Sequence, residues 1–197
     1  MVKVMRLGRV CCPRGRRCAA AVVAVLAACA VAGAAPSAAL AGSSSVPDWT
    51  KQAPASRPPG LFVTEMAYDV ATRTVVLFGG ETTGYHFFGG TWTWNGTTWT
   101  QRHPAASPSP RQGAAMAYDV ATGTVVLFGG LNKAGGRAFN DTWTWDGTTW
   151  TSQAPATKPA ARWGAAMAYD AATRAVVLFG GVAPGAGFVD DDTWTWG

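Results

Sequence analysis

Several side chains in this 197-residue chain have types and spacings that could do chemistry, and each also has a structural explanation. Asp190-Asp191-Asp192 is the densest acidic run and could offer oxygen ligands to calcium. Asp192, however, falls in step with Asp141, which leaves two extra carboxylates, few for a cation cage. His86 and His103 are the only histidines, and they lie in loops of different repeats. Tyr68, Tyr118 and Tyr169 recur at matching positions, each followed by an aspartate, Asp69, Asp119 or Asp170, of the kind that caps a turn through its own backbone. All four cysteines, Cys11, Cys12, Cys18 and Cys29, sit near the N-terminus, so the remainder has no thiolate for attack, metal ligation or a disulfide. No catalytic constellation is visible. The expectation is a non-enzyme with no cofactor and no metal site.

The matching positions come from a repeat. Met-Ala-Tyr-Asp begins at Met66, Met116 and Met167, spacings of 50 and 51 residues, and each copy is followed by Val-Val-Leu-Phe-Gly-Gly and then Thr-Trp-Thr-Trp. A period of that size indicates stacked supersecondary units, each unable to bury its apolar face alone. Each unit reads as four strands. Strand A spans 113–118 in the second copy, with Ala114, Met116 and Tyr118 on one face and the small Ala115 and Ala117 on the other, as suits a crowded axis. Strand B, 124–128, lacks polar alternation and should be covered on both faces. The pairs Gly79-Gly80, Gly129-Gly130 and Gly180-Gly181 close strand B, where positive φ or close backbone approach is expected. Strands C and D, 142–145 and 148–151, flank Asp146-Gly147, and Asn95-Gly96 marks the same place in the first copy. As two-residue hairpins these would set Trp92 opposite Trp99 and Trp143 opposite Trp150. Asn95 and Asn140 also begin glycosylation sequons, for which the turn reading is the stronger.

A Gly-Gly pair closing an apolar strand, a Tyr-Asp pair upstream and a Trp downstream of an aromatic strand together resemble the kelch repeat, one blade of a β-propeller. The resemblance covers residues 48–197, with repeats at about 48–100, 101–151 and 152–197, and implies an all-β fold of about three four-stranded blades. It is similar to secreted bacterial proteins called galactose-oxidase-like. The copper–radical centre that this label implies needs a cysteine-crosslinked tyrosine, a second tyrosine and two histidines, a set that this chain cannot assemble. The sialidase-type Asp box is also approached around Asp146, but Asp146 and Gly147 are adjacent where that motif separates them.

Function should lie where the copies differ, because loops on a rigid repeat scaffold are the usual binding surface. The B-to-C loops vary most: the first carries Tyr85, His86, Phe87 and Phe88, the second Lys133 and Arg137, and the third is apolar then acidic. Arg111 and Arg162, in the D-to-A connections, belong to the same face and suit either a ligand or a structural role bonding loop carbonyls, while Leu61 holds that position in the first copy. The implied function is a binding or protein-interaction module for a protein or an extracellular glycan. A glycan-acting enzyme and a purely structural surface domain are the alternatives. Strand D is missing from the third copy. Asp48-Trp49-Thr50-Lys51-Gln52-Ala53-Pro54 echoes Trp150-Thr151-Ser152-Gln153-Ala154-Pro155 and reads as an orphan strand D near Trp49. Three blades fall below the usual four to eight, which leaves a homo-oligomer that completes the ring, or a truncated reading frame, the reading that the interrupted motif at Gly197 favours.

Residues 1–41 read as an export signal: six basic residues, an apolar run over 18–35, and Ala39-Leu40-Ala41 before Gly42. Residues 42–47 form a linker. The leader holds 6 of the 16 basic residues and none of the 11 acidic ones, so the net charge of +5 becomes −1 for the remainder. That removes the basic footprint a nucleic-acid partner would require. Residues 26–29 resemble the bacterial lipobox, in which Cys29 would be lipidated and tether the protein to the membrane. The expected location is secreted, with a membrane-anchored lipoprotein as the alternative. N-terminal sequencing of the exported protein should therefore find a soluble species beginning at Gly42. A membrane-bound species beginning at a modified Cys29, released by Cys29→Ala, would establish the alternative.

Overall fold

The computed structural model describes residues 46–132, 136–183 and 189–197; the segment read as an export signal, Cys29, most of the expected linker and Lys133 lie outside the described residues. Every regular element among the described residues is a strand. The first repeat gives β1 (Glu65–Asp69), β2 (Thr74–Phe78), the short pair β3 (Glu81–Thr82) and β4 (His86–Phe87), then β5 (Thr91–Trp94) and β6 (Trp99–Arg102). The second gives β7 (Ala115–Asp119), β8 (Thr124–Phe128), β9 (Leu131–Asn132), β10 (Arg137–Ala138), β11 (Thr142–Trp145) and β12 (Trp150–Gln153). The third gives β13 (Ala166–Asp170), β14 (Ala175–Phe179) and β15 (Thr193–Trp196). The principal sheets run β1-β2-β5-β6, β7-β8-β11-β12 and β13-β14-β15, all antiparallel.

The expected strand B is found at its expected limits, and its middle example is covered on both sides: Val125, Val126, Leu127 and Phe128 are all buried. One side joins Ala114 and Met116 in a cluster with Ala67, Val76 and Phe78 of the first sheet. The other side meets the third sheet: Phe128 with Leu178, and Val126 with Val176. The small face of β7 serves as anticipated, since Ala115 and Ala117 belong to these latter clusters. β7 touches both β1 and β13, so the first strands of the three sheets stand side by side. Each buried aliphatic or aromatic side chain at these seams contributes roughly 1.5–3 kcal/mol, which no sheet could gain alone.

Three expectations need correction. Strand A begins two residues and ends one residue later than read, at 115–119, because residues 112–113 are occupied in hydrogen bonds to Leu131 and Val63. The turn between the third and fourth strands has four residues, not two. Asn95 Oδ1 accepts from the backbone of Thr97 and Thr98, and Asp146 Oδ1 does the same for Thr148 and Thr149, so these threonines leave the strand for the turn. The pairs are consequently Trp94 with Trp99 and Trp145 with Trp150, at ring separations of 5.5 and 5.4 Å. The face is preserved because the register moves by two. Finally, no strand forms near Trp49: the first described pairing is the bridge between Phe62 and Glu81, and Trp49 is exposed.

The glycine pairs behave as their position demands. Gly79 and Gly80 have φ of 73° and 104°, Gly129 and Gly130 of 68° and 101°, and Gly180 and Gly181 of 71° and 100°. Gly80 donates its N–H to the Arg111 carbonyl, and Gly130 to the Arg162 carbonyl, each bond crossing from one sheet to the next. A Cβ on Gly129 would stand 2.5 Å from the Arg162 carbonyl oxygen, and one on Gly130 3.0 Å from that of Gln112. Gly129→Ala and Gly130→Ala should each lower stability by about 1 kcal/mol or more. Thermal unfolding should show this clearly, while Gly60→Ala, which meets open space, should leave the midpoint unchanged.

Candidate functional site

The B-to-C and D-to-A connections meet on one face, held by backbone bonds from Arg111 N to Phe88 O and from Arg162 N to Phe139 O. The D-to-A connections are themselves joined: Gly113 donates to Val63 O, and Gly164 to Gly113 O. On this frame the B-to-C segments form small hairpins, where loops were expected. β3 pairs with β4, β9 with β10, and Val182 bridges Val189 in the third repeat.

The first hairpin presents the expected aromatic residues at different depths. Tyr85 stands at its tip, 81% exposed, with a left-handed backbone (φ 63°) that is an outlier for a bulky residue. His86 is exposed beside it, while Phe87 and Phe88 are half-buried. Arg137 lies exposed on the second hairpin. Glu81, at the base of the first hairpin, was not singled out by sequence reasoning, yet it is buried, with Oε1 lacking a hydrogen-bond partner among the described residues. Leu131 and Val182 fill the equivalent place in the other repeats, and this break in the repeat was the available signal. Such an orphaned acceptor is rare in native proteins and is destabilising.

Arg111 and Arg162 are on the same face, but both guanidinium groups are buried and fully engaged by the protein. Arg111 donates through Nε to Ser109 O and through Nη1 to Gly129 O, and it grips Asp141 with both terminal nitrogens at 2.6 and 2.9 Å. Its guanidinium lies 3.9 Å above the Phe139 ring, and Trp143 Nε1 donates to the same Asp141. Arg162 repeats the arrangement with Ala160 O, Gly180 O and both oxygens of Asp192, which also accepts from Trp194. The ligand role considered for these arginines is thus replaced by a structural one, which reaches beyond loop carbonyls to a carboxylate. The shared 30-residue separation of the two pairs was a legible signal, as was their joint loss in the first repeat, where Leu61 and Gly90 stand.

The acidic run at 190–192 is drawn into the same device, with Asp192 clasped by Arg162 and Asp190 3.4 Å from it. Among the described residues no group of three or more acidic, histidine or cysteine side chains is placed to hold a metal. His86 and His103 lie in separate connections, and the recurrent Asp69, Asp119 and Asp170 accept from their own turns.

No family model matches the chain, and no curated protein matches it either. A solved structure titled "Structure of YjhT" superposes with a TM-score of 0.55 at 14% identity, covering 69% of this chain. The fold is a β-propeller. The chain spans 42% of the length of that neighbour, and the likeness extends to architecture alone.

The ion pairs set the response to acid. Burial pushes the Asp141 carboxyl up, but the bidentate Arg111 and the Trp143 indole outweigh it and hold the pKa below the ordinary value. Arg162, with Trp194, draws Asp192 from 3.8 down to about 2. A depressed folded-state pKa gives stability that is complete above the unfolded value and is lost as pH falls through the folded one. Thermal midpoints should therefore fall between about pH 4 and pH 2. Arg111→Leu or Asp141→Gly alone should destabilise by about 3 kcal/mol, and Asp141→Gly, which strands a buried cation, should be the worse. Together they recreate the first repeat, and the double variant should cost less than the sum, as denaturant titration would show.

Proposed function

We propose that this chain is a kelch-type, extracytoplasmic binding module whose ligand surface is the hairpin face, and that its ligand is an extracellular glycan. The observation carrying this is the contrast between the hairpins and the frame beneath them. The strands of the frame keep the same motifs in all three repeats, whereas the hairpins differ in every repeat and raise a strained, exposed tyrosine, Tyr85, beside His86. A flat aromatic ring held at low entropic cost suits stacking against the apolar face of a sugar. Arg137 and His86 supply hydrogen-bond donors for hydroxyl or carboxylate groups around it.

The module binds without turnover. Its buried arginines and their aspartates are committed to each other, and its two histidines lie in separate connections. Glu81 belongs to the same reading, since a buried acceptor that costs stability is the kind of feature retained for function. A glycan array probed with the exported protein should give specific binding. Tyr85→Ala should weaken it by about tenfold or more with an unchanged unfolding midpoint. Glu81→Leu, which copies the second repeat, should raise the midpoint while weakening binding. If the array is negative and a surface protein is captured through Tyr85 instead, the ligand is a protein; if Tyr85→Ala changes no binding, the hairpin face is not the site.

A further inference from the structure

Two buried acceptors on the hairpin face have no donor. Glu81 is 3% exposed, and its Oε1 has no partner among the described residues; the side-chain oxygen of Gln112 is enclosed and unpartnered in the same way. The two residues are neighbours across the seam between the first and second repeats. Gly80, which precedes Glu81, donates its N–H at 2.8 Å to the carbonyl of Arg111, which precedes Gln112. The seam is an interior one, with the sheets of both repeats in place on either side.

The backbone register fixes what surrounds them. Phe62 bridges Glu81, and Glu81 pairs with Phe87, so the three side chains form one row on one face of the small sheet, about 5 Å apart at Cβ. The carboxylate therefore stands between two phenyl rings. The matching rows are Gln112-Leu131-Ala138 and Trp163-Val182-Val189. The third repeat shows which way the first member of a row turns: the Trp163 ring lies 3.4 Å from the place that a Cβ on Gly113 would take. Gly164 donates to Gly113 O just as Gly113 donates to Val63 O. Moved back by one repeat, the same geometry turns Gln112 toward Val63, the residue that follows Phe62.

The chemistry of the missing partner follows from what is absent. A buried carboxylate is costly unless a cation or strong donors meet it. Arg111, beside Gln112 in the chain, is committed to Ser109, Gly129 and Asp141, and no ion pair reaches Glu81 among the described residues. Calcium asks for about six to eight oxygen ligands, more than two side chains set among phenyl rings provide. A single hydroxyl has one proton to donate and leaves one of the two acceptors unsatisfied. A primary ammonium carries several N–H donors, matches the charge of Glu81, and is attracted to the faces of aromatic rings.

We infer that Glu81 and Gln112 form a subsite for the ammonium group of an unacetylated amino sugar, which donates to both orphaned oxygens, while Tyr85, at the tip of the same hairpin, holds the adjoining part of the glycan. The subsite rests on the glycan reading of the hairpin face and names the sugar class within it. Phe62, 49% exposed, is the wall that turns aside on entry, since exposed side chains change rotamer rapidly. The other rows have Leu131 and Val182 where the first has Glu81, so the charge that selects the ammonium is confined to the first of the three repeats. Because the free protein holds an uncompensated buried acceptor, binding of the amine relieves a cost that the other sugars leave in place.

The test is calorimetric titration of the exported protein with three matched β-1,4-linked hexasaccharides, of glucosamine, of N-acetylglucosamine and of glucose, in buffer acidic enough to keep the amine protonated. The glucosamine hexamer should bind about tenfold or more tightly than either of the others. Glu81→Gln, which keeps the shape and removes the charge, should abolish that preference with an unfolding midpoint no lower than before. Gln112→Leu should weaken the glucosamine hexamer severalfold and the others little, and it serves if Glu81→Gln fails to fold. Tyr85→Ala should weaken all three alike. Equal binding of the three hexamers, lost in Tyr85→Ala, would overturn the ammonium subsite and leave the glycan reading standing. A preference that survives both Glu81→Gln and Gln112→Leu would also overturn it. If none of the hexamers binds, the subsite is refuted and the glycan array alone decides the wider reading; capture of a lysine-rich peptide through Glu81 in place of any sugar would overturn both.

Discussion

The closeness with which two backbones approach at a seam governs this fold. Gly80 and Gly130 turn their N–H groups onto the carbonyls of the next repeat at 2.8 and 2.9 Å, an approach that a side chain at the preceding glycine would block. With that approach granted, the small face of β7 can lie against the neighbouring sheet, the Val-Val-Leu-Phe strand is covered on both sides, and Trp150 reaches across to Thr91. Because each sheet gains its burial only from its neighbours, stability accumulates by seams and not by sheets.

The Arg–Asp clasps belong to the same junctions. Arg111 binds the first sheet through its backbone and the second through its side chain, so one residue fixes the loop, the end of β8 and the entry to β11. A buried guanidinium is tolerable there because each of its nitrogens has an acceptor and an aromatic face covers it. The first repeat has Leu61 and Gly90 at these two places and keeps the adjoining bridge, Phe62 with Glu81, that Gln112 makes with Leu131. The clasp is thus present or absent as a pair. The rigidity of this layer lets the hairpins above it vary.

The hairpin face and the outer seams make opposite demands. The hairpins hold Tyr85 in a costly conformation and leave Glu81 Oε1 without a partner, departures from the repeat that subtract from stability at one place. The outer sheets depart from nothing: Met66, Tyr68 and Phe179 keep their repeat identities, and their exposure comes from what stands beside them. The first kind of anomaly is local to single residues of a hairpin, and the second belongs to the faces of the two outer sheets.

Much of the architecture was legible in the sequence. The repeat fixed the number of sheets, strand B and strand C were placed at their residues, and the glycine pairs announced positive φ, because these depend on local alternation and on a missing Cβ. The turn after strand C was misread since Asn95 and Asp146 can serve two turn lengths, and the choice rests on side-chain oxygens capping the threonines beyond them. The strand expected near Trp49 was read from a repeat fragment, yet residues 46–54 do not form one, because repeat identity alone does not supply the neighbouring edge that a strand needs. The matched spacing of Arg111 with Asp141 and of Arg162 with Asp192 was visible in the sequence, but the tertiary structure decided that each arginine would be consumed by its aspartate, because pairing across 30 residues needs the sheets already assembled. It also decided that Tyr85 would stand clear while Phe88 sank, since the depth of a side chain is set by the neighbouring chain segments packed around it.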